Sequence, residues 1–307
     1  MGDEDINDLE FPHPPRGVYP GRISDGFPHQ GLAQRRGYGY LVPADIRFVG
    51  SDQLVGDIFT FFDILNNHGG TFPYTFFGLN PGTTKNQIPA CIADWEKRDN
   101  NILALSRAYM LQPGTGWDVP PGILHAPGSL LTYEPQRASD VSAMIQNIVW
   151  NAYTAKELLQ KDIPEEKRDD LDYYIELLDW ELNIDPLFYE HRFIEPKPVK
   201  PLEEMRAQGY EEYDIVYKNE YFSAKELTIL PGRSALIKDK GPYGAIVVQG
   251  HGSFGSLSIE SPAMIRFGQM TQDELFVTDN TAKKGVLITN TSSTDALVML
   301  KHFGPAA

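Results

Sequence analysis

The stretch LSRAYMLQPGTGWDVPPGILHAPGSLLTYEP, residues 105–135, decides how the rest of the chain is read. Short apolar bursts enter a Pro-Gly corner, leave it, turn again and end on LLTYE. Bursts this short, rich in Ile, Val, Phe and Tyr and bounded by turn residues, are the strands of an antiparallel sandwich or barrel. The grammar extends upstream through DIRFVG, DIFTFFDIL and TFPYTFFGL and downstream through SAMIQNIVW, so residues 45–150 form one β unit. It returns from Tyr210 in SALIKD, GAIVVQG, GSLSIE, ELFVTD, GVLITNTS and ALVMLKHFG. Within that second region, MIRFGQMTQDELFVTDNTAKKGVLITNTSSTD (264–295) repeats the order strand, turn, strand, polar corner, strand. Such internal repetition points to two β-barrels, the second at 210–307.

What lies between the two regions reads differently. After Pro164, EEKRDDLDYYIELLDWE carries early acids and a stripe of Leu171, Ile175 and Leu178, which predicts one long helix near 164–180. NIDPLFYEHRFIEPKPVKPLEEM follows, and its prolines at 186, 196, 198 and 201 predict a stiff extended connection. Residues 151–209 are therefore expected to be a helix and a Pro-rich linker. Residues 1–44, dense in Pro and Gly and without any period, read as an extended arm that packs along a sheet or a neighbouring subunit, which leaves a homodimer open.

Composition narrows the function classes. The 307 residues carry 27 Lys+Arg against 42 Asp+Glu, a net charge of −15, and 41% are apolar. The apolar share supports a sizeable core. The negative balance repels phosphate backbones and anionic lipid, so neither a nucleic acid nor a membrane is an expected partner. A lone cysteine, Cys91, excludes a disulfide framework and a Cys-type zinc site. MGDEDINDLE has no basic segment followed by an apolar one, and no run approaches membrane-spanning length, so a cytoplasmic protein is expected.

The sharpest motif is Gly114-x5-Pro120-x-Gly122-x2-His125, in which Pro120 and Gly122 make the corner that delivers the next strand and His125 opens that strand. This spacing resembles the second motif of the cupins, barrels that commonly hold one divalent metal among histidines and a carboxylate; Ser129 stands where that motif closes on Asn. The stretch from His125 to Val141 is similar to the type I mannose-6-phosphate isomerases, which are bicupins. There a metal-ligand His is followed nine residues on by an active-site Glu and then by a Ser-Asp pair, matched here by His125, Glu134 and Ser139-Asp140. The family's earlier Gln-x-His ligand pair is matched by Asn66-x-His68. The resemblance implies a divalent metal (Zn, Mn, Fe or Ni) held by His68, His125, Glu134 and Asn66, with Glu134 as candidate catalytic base. It implies a small-molecule carbohydrate as partner and an aldose-ketose isomerase or epimerase activity.

Three features depart from the family pattern. Its third ligand, a Glu soon after the Gln-x-His strand, has no clear counterpart, since TFPYTFFGL occupies the place and Glu96 lies further along. The Arg ten residues beyond the active-site Glu is Met144, and Arg137 is out of register. Without that Arg no bidentate fork serves a phosphoryl group, so an unphosphorylated sugar is expected. In the second β region Lys283 stands near the His place, and that barrel is expected to be metal-free. Two other classes fit the same residues: a different metal-cupin enzyme, such as an oxygenase or lyase, and a non-catalytic carbohydrate-binding bicupin. His13, His29 and His191 read as surface or packing residues.

Overall fold

The computed structural model describes residues 57–61, 74–93, 95–112, 114–126, 132–135, 142–149, 152–264 and 267–305. The N-terminal arm 1–44, Asn66, His68, Ser129, Arg137 and Ser139-Asp140 lie outside the described residues.

The C-terminal half is an antiparallel sheet built on β11 (Tyr210–Val216), β12 (Ser223–Ile229), β13 (Ser234–Ile237), β14 (Tyr243–Phe254), β17 (Val286–Asn290) and β18 (Leu297–Phe303). With β10 (Lys197–Pro198) its order is β10-β11-β12-β18-β14-β17-β13. Alternation of buried and less buried residues, as in Ser234–Ile237, puts one face of each strand into a core. β18 is different: all seven of its residues are buried. Its inner phase, Leu297, Met299 and Phe303, packs with Leu227, Ile229, Tyr243 and Ile288. Its outer phase includes Leu300, which packs with Tyr133 and Ile194 from the other half of the chain. A strand covered on both faces reads as a continuous apolar run, which ALVML (296–300) shows before Lys301 and His302 interrupt it.

β14 makes the sheet curl. Its first half pairs with β18 and with β16 (Glu274–Val277), and its last residues pair with β15 (Leu257–Ser261) and β17. The change of partner falls at Gly250, whose φ is +88° and whose added Cβ would lie 2.6 Å from the Ala296 carbonyl oxygen. Two residues on, a Cβ at Gly252 would meet the Thr289 oxygen at 1.9 Å, so the backbones approach as only glycine allows.

Among the described residues, the N-terminal half contributes two small sheets and a two-stranded ladder of Ile148–Val149 with Ala152–Tyr153. One has the order β6-β1-β4-β9, from β1 (Asp57–Phe61), β4 (Gly116–Val119), β6 (Thr132–Tyr133) and β9 (Phe193–Ile194). The other has the order β3-β2-β5, from β2 (Tyr74–Leu79), β3 (Ser106–Met110) and β5 (His125–Ala126). Phe77, Trp117, Val119 and Phe188 fill the core they share, with Phe77 and Trp117 ring centroids 5.2 Å apart. Beside it Leu79, Ile88, Trp95, Leu159 and Tyr174 form a second core, largely from short helices.

The connecting region corrects the expectation of one long helix. Residues 164–183 form a 3-10 turn (Glu165–Lys167) and two short helices, Leu171–Glu176 and Trp180–Asn183. Two aspartates restart the helix: Asp170 accepts a hydrogen bond from the Tyr173 amide, and Asp179 from the Leu182 amide. The stripe survives, since Leu171, Ile175 and Leu178 pack against the second core. The Pro-rich segment is stitched into both halves. It forms a helix (Phe188–Arg192), then β9 pairs with β4, and β10 pairs with β11. Among the described residues, no helix is long and apolar enough to cross a membrane.

Candidate functional site

The Pro-x-Gly-x-x-His spacing folds into a corner whose parts can be accounted for one by one. β4 ends at Val119, and Ile123 donates its amide to the Pro120 oxygen to close the turn. Gly122 takes φ +81°, and a Cβ there would lie 2.6 Å from the Asp179 amide nitrogen. The fully buried Asn183 holds the corner in place. Its amide donates to the Gly122 oxygen at 2.7 Å, and its Oδ1 accepts from the Leu124 amide at 2.9 Å. The Leu124 oxygen in turn accepts from the Gly78 amide at 2.8 Å, which starts β5 against β2 at His125. His125 therefore opens the strand, as the spacing predicts.

His125 pairs across the ladder with Phe77, so both lie on the face that meets Trp117. Its side chain is exposed, at the rim of the aromatic core. Nδ1 lies 3.0 Å from the Ile123 oxygen. With that carbonyl as acceptor the proton sits on Nδ1 and the basic lone pair on Nε2, the arrangement that orients a metal-binding imidazole. Glu134 follows directly on β6, which pairs with β1. It is partly buried, and its Oε2 is shielded from solvent. His125 and Glu134 thus stand on different small sheets of the same half. Among the described residues, no three His, Cys, Asp or Glu side chains gather as a metal-binding group. Met144 is partly buried and its amide donates to the Leu158 oxygen.

Two builders of the corner escape a reading of sequence. Asn183 sits in a helical phase, 61 residues from Gly122, with nothing local to mark the pairing. Arg107 donates to the carbonyl oxygens of Asp185 and Asn183 and lies 4.6 Å from the Phe188 ring, so it secures the C-terminus of the helix that carries Asn183.

The second half holds a different polar group on the inner face of its sheet. Lys301, with no exposed side chain, reaches Glu212 at 2.5 Å and Asp239 at 2.7 Å, and Lys225 reaches the other Asp239 oxygen at 2.9 Å. Burial works to raise the Asp239 pKa, but the two ammonium groups overcome it and hold that carboxyl below its ordinary value. Lys301 also lies over the Tyr243 ring at 5.2 Å. Burial and the adjacent Asp239 and Glu212 push the Tyr243 hydroxyl well above its usual range. Lys283 lies instead on the short helix Asp279–Lys284, paired with Asp279 at 2.8 Å.

The fold is similar to that of solved mannose 6-phosphate isomerases. The mannose 6-phosphate isomerase of Bacillus subtilis superposes with a TM-score of 0.50 at 14% identity, over 80% of this chain and 64% of that one. A putative mannosephosphate isomerase from Archaeoglobus fulgidus also gives 0.50, at 13% identity, over 82% of this chain and 61% of that one. The chain therefore spans less than two thirds of the length of either structure. No protein-family model matches the sequence, and no curated protein matches it.

Proposed function

We propose that the chain is a bicupin, with barrels at about 45–150 and 210–307, and that its first barrel is a metal-dependent sugar isomerase or epimerase centre. The observation that carries this reading is the His125 corner, a cupin-like spacing whose backbone is fixed by Asn183 and whose imidazole keeps its basic nitrogen on Nε2. The likeness to the two isomerases supports the two-barrel layout, because it covers four fifths of the chain and so extends through both β regions.

In this reading His125, His68, Asn66 and Glu134 hold a divalent ion, and Asn66 offers a carbonyl oxygen where the resembling family has Gln. The ion, when bound, polarises a carbonyl or a pair of vicinal oxygens. A proton moved between adjacent carbons of an open-chain sugar needs a carboxylate base, and Glu134, shielded from solvent at Oε2, is the candidate; in that role it leaves the ion to His125, His68 and Asn66, because one carboxylate does not serve as ligand and base at once. With Met144 in the place of the family's Arg, the substrate is an unphosphorylated sugar.

Aldose-ketose interconversion by the metal-loaded protein, with mannose and mannose 6-phosphate as alternative substrates, tests the proposal. The expected result is turnover of mannose, lost in Glu134→Gln, with no preference for the ester. Absence of turnover on both sugars, or a clear preference for the ester, contradicts it.

A further inference from the structure

A cleft of about 280 Å³ opens beside the second core of the N-terminal half, and neither His125 nor Glu134 lines it. One wall is the end of the helix Gln87–Ala93 and the turn after it, which bring Ile92, Ala93 and Trp95. The other wall is the helix Lys156–Gln160 with Arg168 and Leu171. Both walls are fixed by hydrogen bonds. The Trp95 carbonyl accepts from the Asn147 amide at 2.7 Å, and the Arg168 carbonyl accepts from Tyr174 at 3.0 Å and Gln160 at 3.3 Å.

The lining divides by chemistry. Ile92, Trp95 and Leu159 are at most 5% exposed and give an apolar wall. Around them stand three cations, Lys97, Lys156 and Arg168, against two anions, Glu96 and Asp169. Among the described residues, no ion pair or hydrogen bond engages the charged ends of Lys156 and Arg168. Lys156 and Arg168 beside an apolar wall, in a chain of net charge −15, offer a positive pair on a surface that is negative on average. The volume lies at the lower end for small-molecule sites, which a single ring or short chain fills.

We infer that this cleft binds a small organic anion, its apolar body against Trp95 and Leu159 and its carboxylate or phosphate head between Lys156 and Arg168. The guanidinium of Arg168 supplies paired donors for such a head, and Lys156 adds a point charge.

Calorimetric titration of the full chain with phenyl phosphate, phenylacetate and benzyl alcohol tests this. Saturable one-to-one binding of at least one of the two anions is expected, and comparison of the two identifies the head group. Benzyl alcohol, with the same ring and no charge, should bind at least about tenfold more weakly. Lys156→Ala with Arg168→Ala removes two exposed side chains, leaves the fold intact and should weaken the anion by at least about tenfold. Ala93→Trp, at an exposed position on the rim, should block binding by filling the cleft. Absence of saturable binding for both anions, equal affinity for the alcohol, or unchanged affinity in either variant would overturn the inference.

Discussion

Lys301→Met probes the charged group inside the second β region. The substitution keeps the length of the side chain and removes the ammonium that contacts Glu212 at 2.5 Å and Asp239 at 2.7 Å. Asp239 retains Lys225 at 2.9 Å, whereas Glu212 is left on the inner face with 7% of its side chain exposed. Removing one partner of a buried ion pair costs about 3–5 kcal/mol, since a charge is left without compensation. Against a typical total of roughly 5–15 kcal/mol, the loss should be plain in urea unfolding followed by circular dichroism. Lys301→Met with Glu212→Leu should recover most of it, because an apolar replacement of a whole buried pair is often neutral. The pH dependence has a definite sign. In the wild type Asp239 has a lowered folded-state pKa, so its contribution is present above its unfolded value and is lost as pH falls through the folded one. Without Lys301 that pKa rises, the native variant takes up a proton at higher pH, and its deficit against wild type shrinks as pH falls through the raised value. A loss under about 1 kcal/mol, or a double variant no more stable than the single, would refute the reasoning.

Two further outcomes follow from single residues. His302 is buried and its pKa is lowered to about 4 by that burial, so the unfolded chain binds its proton first as pH falls below 6.5. Taken alone, this contribution lowers stability by about 3 kcal/mol between pH 6.5 and pH 4, at 1.36 kcal/mol per unit. Glu274, raised to about 7 by burial and by Asp273, acts in the opposite direction: its contribution is full below 4.5 and is lost as pH rises to 7. The two contributions oppose each other in the wild type, so unfolding curves should show a steeper acid loss in Glu274→Gln than in wild type, and adding His302→Asn to Glu274→Gln should lessen that loss. Gly122→Ala forces a side chain to φ +81° and sets its Cβ 2.6 Å from the Asp179 amide, for a loss of about 2–4 kcal/mol in thermal or urea unfolding. Gly82→Ala, where nothing lies within 4 Å, should be close to neutral and serves as the control.

The β character and the His125 corner were legible because they are local. Strand bursts carry their own alternation, and Pro120, Gly122 and His125 lie within six residues of one another. Features that depend on distant pairing were not. The stripe of Leu171, Ile175 and Leu178 predicts a helix correctly in phase, yet Asp170 and Asp179 break it by capping new starts within the same periodic run. The Pro-rich segment looks like a spacer in sequence, whereas β9 and β10 find partners 78 and 15 residues away, in the pairs Ile194 with Gly116 and Pro198 with Tyr213. Asn183 and Lys301 escape notice for the same reason. Lys301 occupies the inner phase of an apolar strand, and only the sheet's closure brings Glu212 and Asp239 to it. The ligand set proposed for His125 includes Asn66 and His68, which lie outside the described residues and are drawn from the family resemblance.

The most direct test of the metal-centre reading is a crystal of the protein grown with manganese or zinc and an anomalous difference map collected at the metal's absorption edge. One strong peak per chain is expected at coordination distance, about 2.0–2.1 Å for zinc, from His125 Nε2, with His68 and Glu134 in the same shell. A peak elsewhere in the chain, or none at His125 under saturating metal, would contradict it.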